Sequence, residues 1–106
     1  MTTPTAYSLQ APTRAELDAL SGLTVVEFGT NWCGICQGAQ ASIRQALAPH
    51  AGLRHLKIED GPGRPLGRSF KVKLWPTLVL MRDGAEVARV VRPRSAEDIE
   101  DAFASL

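Results

Sequence analysis

This chain of 106 residues has only two cysteines, no long apolar run and almost no net charge. Two cysteines cannot form a scaffold of several disulfides. No apolar run approaches the length of a membrane span, and the N-terminus lacks the basic and apolar regions of a secretory signal. A formal net charge of +1 argues against a nucleic-acid-binding protein that depends on phosphate contacts. These absences predict a cytoplasmic protein without membrane or nucleic-acid partners.

What the chain does contain is the composition of one folded domain over residues 1–106. Apolar residues make up 44% of the sequence and charged residues 22%, which is typical of a globular protein. A chain of this length can bury one modest core but not two.

The first half of the chain predicts a short helix followed by a strand, a long helix and another strand. Thr13 and Glu16 have the spacing of a capping box, and Gly22 supplies a helix stop. The β-branched run LTVVEF at residues 23–28 predicts a buried strand, and LRHLKI at residues 53–58 predicts a second one. The segment between them has apolar residues at helical spacing.

The second half predicts a short helix, a hairpin and a final helix. Leu66 and Phe70 are four residues apart, and the pair Asp83-Gly84 separates two apolar β-type runs. Ser95 is a suitable N-cap for a last helix over SAEDIEDAFASL. The weakest predicted strand lies near residues 7–9. Early strands separated by helices, followed by a hairpin, predict a mixed sheet covered on both faces.

Both cysteines lie in NWCGIC, residues 31–36, between a predicted strand and the long helix. A helix that starts at or just after Cys33 directs its free N–H groups at that sulfur and favours the thiolate. Cys36 lies one turn further along, close enough to form a disulfide with Cys33, and Gly34 is expected to permit a tight turn between them. This arrangement predicts thiol–disulfide exchange.

Three other interpretations of the cysteine pair stay open at this point. A structural zinc site needs four ligands, and His50 and His55 lack the spacing of a zinc motif. Copper(I) needs only two thiolates, so a copper carrier is harder to exclude. The pair could also be two inert buried thiols, although a strand end makes side chains accessible.

Two segments of the sequence resemble the thioredoxin family. VVEFGTNWCGIC at residues 25–36 is similar to that family's strand and Trp-Cys-Gly-x-Cys motif, and FKVKLWPTLVLMRDGAEV at residues 70–87 is similar to its cis-proline and last hairpin. The resemblance runs from about Leu23 to the C-terminus. It implies an α/β thioredoxin fold, with a central mixed sheet of four to five strands flanked by helices on both faces.

The resemblance also implies roles for individual residues and no organic cofactor. Cys33 would be the exposed nucleophile and Cys36 the buried resolving thiol. Pro76 would follow a cis peptide bond beside them, and the backbone of Trp75 would be exposed to pair with an extended substrate segment. The residues predicted to contact substrate are Trp32, Gly34, Ile35, Trp75, Pro76, Thr77 and Arg92.

Glu27 takes the place of the family's buried aspartate, which is thought to relay protons for the resolving thiol. Burial is expected to raise the pKa of this carboxyl toward neutrality, as a general base requires. The alternative is that Glu27 lies on an exposed strand face. The family's buried lysine has two counterparts, since either His55 or Lys57 could lie near Glu27.

The resemblance implies a monomeric protein-disulfide reductase that is recharged by an NADPH-dependent thioredoxin reductase. Ile35 replaces the proline of strongly reducing members, and Arg92 replaces a glycine beside the substrate groove. These departures predict a divergent member with narrowed substrate choice. A disulfide isomerase or oxidase, or a module that docks a partner or carries copper without catalysis, are the alternatives.

Overall fold

The computed structural model describes residues 6–104, and its elements follow the predicted order. They are α1 (Arg14–Asp18), β1 (Leu23–Gly29), α2 (Gly34–Leu47), β2 (Arg54–Glu59), α3 (Pro65–Ser69), β3 (Thr77–Arg82), β4 (Ala85–Val91) and α4 (Ala96–Phe103). Residues 105–106 of the predicted last helix lie outside the described residues. Within the described part of the chain, we find no helix with the length and apolar character that a bilayer crossing requires.

The strands form a mixed sheet in the order β2-β1-β3-β4. β1 runs parallel to β2 and antiparallel to β3, and β3 and β4 form the predicted antiparallel hairpin. Near residues 7–9 the structure has only a single parallel bridge between Ser8 and Ile58. The weakest predicted strand is therefore reduced to one paired residue beside β2.

Side chains from alternating positions of β1 enter two apolar clusters, one on each face of the sheet. Val25 packs with Ile43 of α2 and Ile99 of α4. Val26 and Phe28 belong to the other cluster, together with residues of α1 and α3 such as Leu17 and Leu66. This alternation follows from the two-residue repeat of a strand, and it confirms the prediction of helices on both faces.

The first helix has the predicted capping box but is shorter than predicted. The Thr13 hydroxyl accepts a hydrogen bond from the Glu16 N–H, and the Glu16 carboxylate accepts one from the Thr13 N–H. The helix ends at Asp18 rather than near Gly22. The Leu20 N–H donates to the Leu17 carbonyl, three residues back, and such tightened spacing closes a final turn.

Candidate active site

The two cysteines lie at the start of α2, where the sequence predicted them. Cys33 is the N-cap residue, and its sulfur accepts a hydrogen bond from the Cys36 N–H at 3.3 Å. Both are free thiols, with Cys33 partly exposed and Cys36 fully buried. The strand end thus presents one thiol to solvent and holds the other behind it.

The residues between and beside the cysteines are exposed. Trp32 has 73% of its surface accessible and Ile35 has 51%. The chain turns between the cysteines in the first turn of α2, where Gly34 is the first residue, but the φ of Gly34 is not positive. A Cβ added at Gly34 would have no other atom within 4 Å. Neither backbone conformation nor space therefore requires glycine there.

The loop before β3, which carries Trp75 and Pro76, lies against the cysteine motif. The indole rings of Trp32 and Trp75 meet edge to face, with centroids 5.9 Å apart. The Trp75 indole N–H also donates to Asp60 Oδ2 at 2.8 Å. The peptide bond between Trp75 and Pro76 is cis. These contacts bring the two quoted segments of the sequence together at one end of the sheet.

Arg92 follows β4 and is fixed against the loop before β3 by two hydrogen bonds. Its backbone N–H donates to the Pro76 carbonyl and its Nε donates to the Trp75 carbonyl, both at 2.9 Å. Its φ of +49° lies in the left-handed region that favours glycine. Thr77, the first residue of β3, is fully buried, and its hydroxyl donates to the Leu74 carbonyl. The Trp75 carbonyl, expected to be free for a substrate, is therefore already bonded to Arg92.

Glu27 is buried beneath the cysteines with no exposed surface, so the alternative of an exposed strand face is wrong. His55 Nε2 lies 2.9 Å from one carboxylate oxygen of Glu27. The other oxygen accepts hydrogen bonds from Gln40 Nε2, at 2.9 Å, and from the Tyr7 hydroxyl. Lys57 Nζ donates to the side-chain oxygen of Gln40 at 2.6 Å. His55 therefore contacts Glu27 directly, while Lys57 is linked to it through Gln40.

The expected rise in the Glu27 pKa toward neutrality is wrong. Burial does act to raise this pKa, but hydrogen bonds from His55, Gln40 and Tyr7 and the positive charge of Lys57 act to lower it. Together they hold the pKa of Glu27 below its usual value. Glu27 is therefore a carboxylate at neutral pH and accepts these hydrogen bonds without donating one.

The buried thiol has the opposite character. Burial, together with the neighbouring Cys33 sulfur, raises the pKa of Cys36 to about 11. At neutral pH Cys36 is thus a protonated thiol, which is a poor nucleophile. The arrangement combines an accessible thiol, a buried thiol that must lose a proton, and a buried carboxylate nearby.

A thioredoxin family model matches residues 9–105 of the chain. The chain belongs to the thioredoxin family. The thioredoxin of Chlamydia pneumoniae is 35% identical over 79 residues, which cover 73% of this chain and 76% of that relative. The solved structure of thioredoxin 2 from Pseudomonas aeruginosa PAO1 in its reduced form is 61% identical and superposes with a TM-score of 0.86. That match covers 95% of this chain and 94% of the solved chain.

These comparisons confirm the predicted thioredoxin fold. They also support the general activity of the family, thiol–disulfide oxidoreduction, for this chain. Within residues 6–104 we find no group of three or more His, Cys, Asp or Glu side chains arranged to hold a metal ion.

Sequence reasoning did not identify Tyr7, Gln40 or Asp60 as site residues of this thioredoxin-family protein. Gln40 follows Cys36 by four residues, so helical periodicity alone places it on the same face of α2. Tyr7 has a weaker signal, since it precedes the first predicted helix and is placed at the site by contacts with distant segments, namely the bridge at Ser8 and the hydrogen bond of its N–H to Asn31. Asp60 follows β2 directly, at the end of the sheet that carries the cysteines.

Proposed function

We propose that this thioredoxin-family protein reduces protein disulfides, with Cys33 as the nucleophile and Cys36 as the resolving thiol. The observation that carries the proposal is the unequal exposure of the two thiols. An accessible sulfur can reach a substrate disulfide, whereas a sulfur with no exposed surface can react only with its neighbour.

The reaction follows in two exchanges. The Cys33 thiolate attacks one sulfur of the substrate disulfide, forming a mixed disulfide and releasing the other substrate sulfur as a thiolate. Cys36 then loses its proton and attacks the Cys33 sulfur. The bond between Cys33 and substrate breaks, the second substrate thiolate leaves, and the protein is left with a disulfide between Cys33 and Cys36. Glu27 serves as the base for the second exchange.

Four exposed apolar side chains provide the docking surface for substrate in this proposal. They belong to the cysteine motif, to the loop before β3 and to the end of β4, and they are Trp32, Ile35, Leu74 and Val91. Exposed apolar groups in a cluster typically mark interaction sites. In this proposal substrate contacts are made by Trp32, Gly34, Ile35, Trp75 and Pro76, with Arg92 restricting which proteins dock. The predicted contact through the Thr77 side chain is withdrawn, because that side chain is fully buried and its hydroxyl donates to the Leu74 carbonyl.

Serine variants of the two cysteines test the proposal. With insulin as the disulfide substrate and dithiothreitol as the electron source, the wild-type protein accelerates reduction and Cys33→Ser does not. Cys36→Ser forms a mixed disulfide with the substrate that mass spectrometry detects. If the double variant Cys33→Ser/Cys36→Ser kept full biological activity, the protein would be a docking module instead.

The equilibrium potential of the cysteine pair decides the direction of exchange. A value near −270 mV, which is about that of thioredoxin, supports a reductant, and a value between about −180 and −120 mV supports an isomerase or oxidase. In our proposal the protein acts in the cytoplasm as a monomer of one domain without an organic cofactor. An NADPH-dependent thioredoxin reductase then supplies its electrons.

A further inference from the structure

The Tyr7 side chain occupies the space between the resolving thiol and the buried carboxylate. Its hydroxyl donates a hydrogen bond to Glu27 and accepts one from Gln40 Nε2 at 3.3 Å, and the hydroxyl oxygen and the Cys36 sulfur both lie beside Gly29. Tyr7 itself is 5% exposed, so bulk water does not surround this contact. The phenol is therefore the polar group that joins the two reacting partners of the second exchange.

Gly29 is the residue that makes this junction possible. A Cβ at Gly29 would lie 2.7 Å from the Tyr7 hydroxyl oxygen and 2.8 Å from Cys36 Sγ. Side-chain carbon atoms do not approach that closely, so any other residue at this end of β1 would push the phenol and the sulfur apart. The missing side chain leaves a notch that is lined by both polar atoms.

We infer that Tyr7 is a catalytic residue that passes the proton of the Cys36 thiol to Glu27 during the second exchange. This inference rests on the proposed function. A hydroxyl oxygen has two lone pairs, so it can accept a hydrogen bond from the Cys36 thiol as well as from Gln40 while it donates to Glu27. The Cys36 proton moves to the Tyr7 oxygen, and the Tyr7 proton moves to Glu27 Oε2. As the new bond to Cys33 forms, the bond between Cys33 and substrate breaks and the substrate leaves as a thiolate, so protons and electrons balance.

The surrounding charges fit a transfer of this kind. From β2, Lys57 lies with its ammonium 4.6 Å from the centre of the Tyr7 ring, and His55 faces the other oxygen of Glu27. These groups keep Glu27 ionised and ready to accept a proton. Burial and the Glu27 charge raise the pKa of Tyr7, so the phenol remains protonated before and after each turnover. Because Glu27 is a weak base, the proton moves while the sulfur–sulfur bond forms rather than before it.

Tyr7→Phe tests the inference because it removes only the hydroxyl. The reduced protein is mixed in a stopped-flow instrument with excess dithiobis(nitrobenzoate), which releases one coloured thiolate when Cys33 attacks and a second when Cys36 attacks. We expect an unchanged first phase and a second phase slowed about 100-fold at neutral pH, at the lower end of what a positioned base contributes. In the variant, the second phase should rise about tenfold per pH unit, as thiolate formation does below its pKa, while the wild type changes little.

Two further variants make the result specific. Glu27→Gln should slow the second phase as much as Tyr7→Phe, and the double variant should be no slower than either, since both residues lie on one path. Thr24→Val removes a buried hydroxyl that accepts a hydrogen bond from Arg54, at another position of β1, and should leave both phases unchanged.

Two outcomes would overturn the relay. One is a Tyr7→Phe variant with the wild-type second phase and pH dependence. The other is an equal slowing of both phases, which would show that the hydroxyl only supports the structure. A wild-type protein that fails to react with the disulfide in either phase would instead refute the proposed function.

Discussion

Replacing Gly29 by alanine should destabilise the protein by overfilling the notch at the end of β1. The added methyl group would meet three atoms, the Tyr7 Cζ and hydroxyl oxygen at 2.7 Å and Cys36 Sγ at 2.8 Å. All of them belong to buried side chains that are fixed by packing and hydrogen bonds. Gly29 does not have a positive φ, so the cost is steric and does not come from the backbone.

The expected loss is about 2 kcal/mol, within the range for one methyl group forced into a packed site. This loss corresponds to roughly a 30-fold change in the unfolding constant. In urea it lowers the midpoint of unfolding by about 1 M, because a small domain loses about 2 kcal/mol of stability per molar urea. The measurement is equilibrium unfolding of the reduced protein, followed by far-ultraviolet circular dichroism.

Gly38→Ala is the matched control. Gly38 lies within α2, and an added Cβ there has no other atom within 4 Å. Alanine is a better helix former than glycine by about 0.5–1 kcal/mol, so the same substitution should raise the midpoint by about 0.3 M. If Gly29→Ala were as stable as the wild type while Gly38→Ala behaved as expected, the close packing of Tyr7 against Cys36 would be refuted.

Two further predictions concern the rim of the site and the buried thiol. Arg92→Gly frees the Trp75 carbonyl for a substrate, and glycine adopts the positive φ at this position without strain. We therefore expect kcat/KM for protein disulfides to rise about threefold to tenfold, which corresponds to the free energy of one hydrogen bond. An unchanged kcat/KM for insulin would mean that Arg92 does not restrict docking. The pKa of Cys36 is raised from 9.0 to about 11, so the folded protein keeps this proton where the unfolded chain loses it. The contribution of the protonated Cys36 thiol to the free energy of unfolding is therefore fully present below pH 9.0 and is lost between pH 9.0 and about 11. Unfolding of the reduced protein in urea should show this loss, and Cys36→Ala should reduce it; an identical pH dependence in both proteins would contradict the assigned pKa.

Local patterns were sufficient to predict most of the fold. The capping box at Thr13 and the turn at Asp83-Gly84 act over a few residues, and the structure has both. The apolar run from Leu23 predicted β1 because a central strand is buried on both faces. The end of α1 was predicted less well, because it depends on how the chain enters β1 rather than on Gly22 alone.

The candidate site was less predictable because its chemistry depends on contacts between distant segments. The sequence indicated that Glu27 is buried, but the sign of its pKa shift is set by His55 and Gln40, which come from β2 and α2. Tyr7 is twenty residues from Glu27 along the chain, and no local pattern links them. Periodicity predicts which face of a helix or strand a residue occupies. Predicting its hydrogen-bond partners on other elements also requires the register in which the strands pair.

The contact between Trp32 and Trp75 gives the protein a built-in optical probe. The chain has two tryptophans, and both lie at the rim beside Cys33, so the whole indole emission comes from this one place. The Trp32 side chain is largely exposed to solvent, while the Trp75 indole N–H is hydrogen-bonded to Asp60. Indole emission shifts with solvent exposure and is quenched by nearby sulfur. Disulfide formation and the arrival of a partner can thus be followed in unlabelled protein, while the core on either side of the sheet contributes no background.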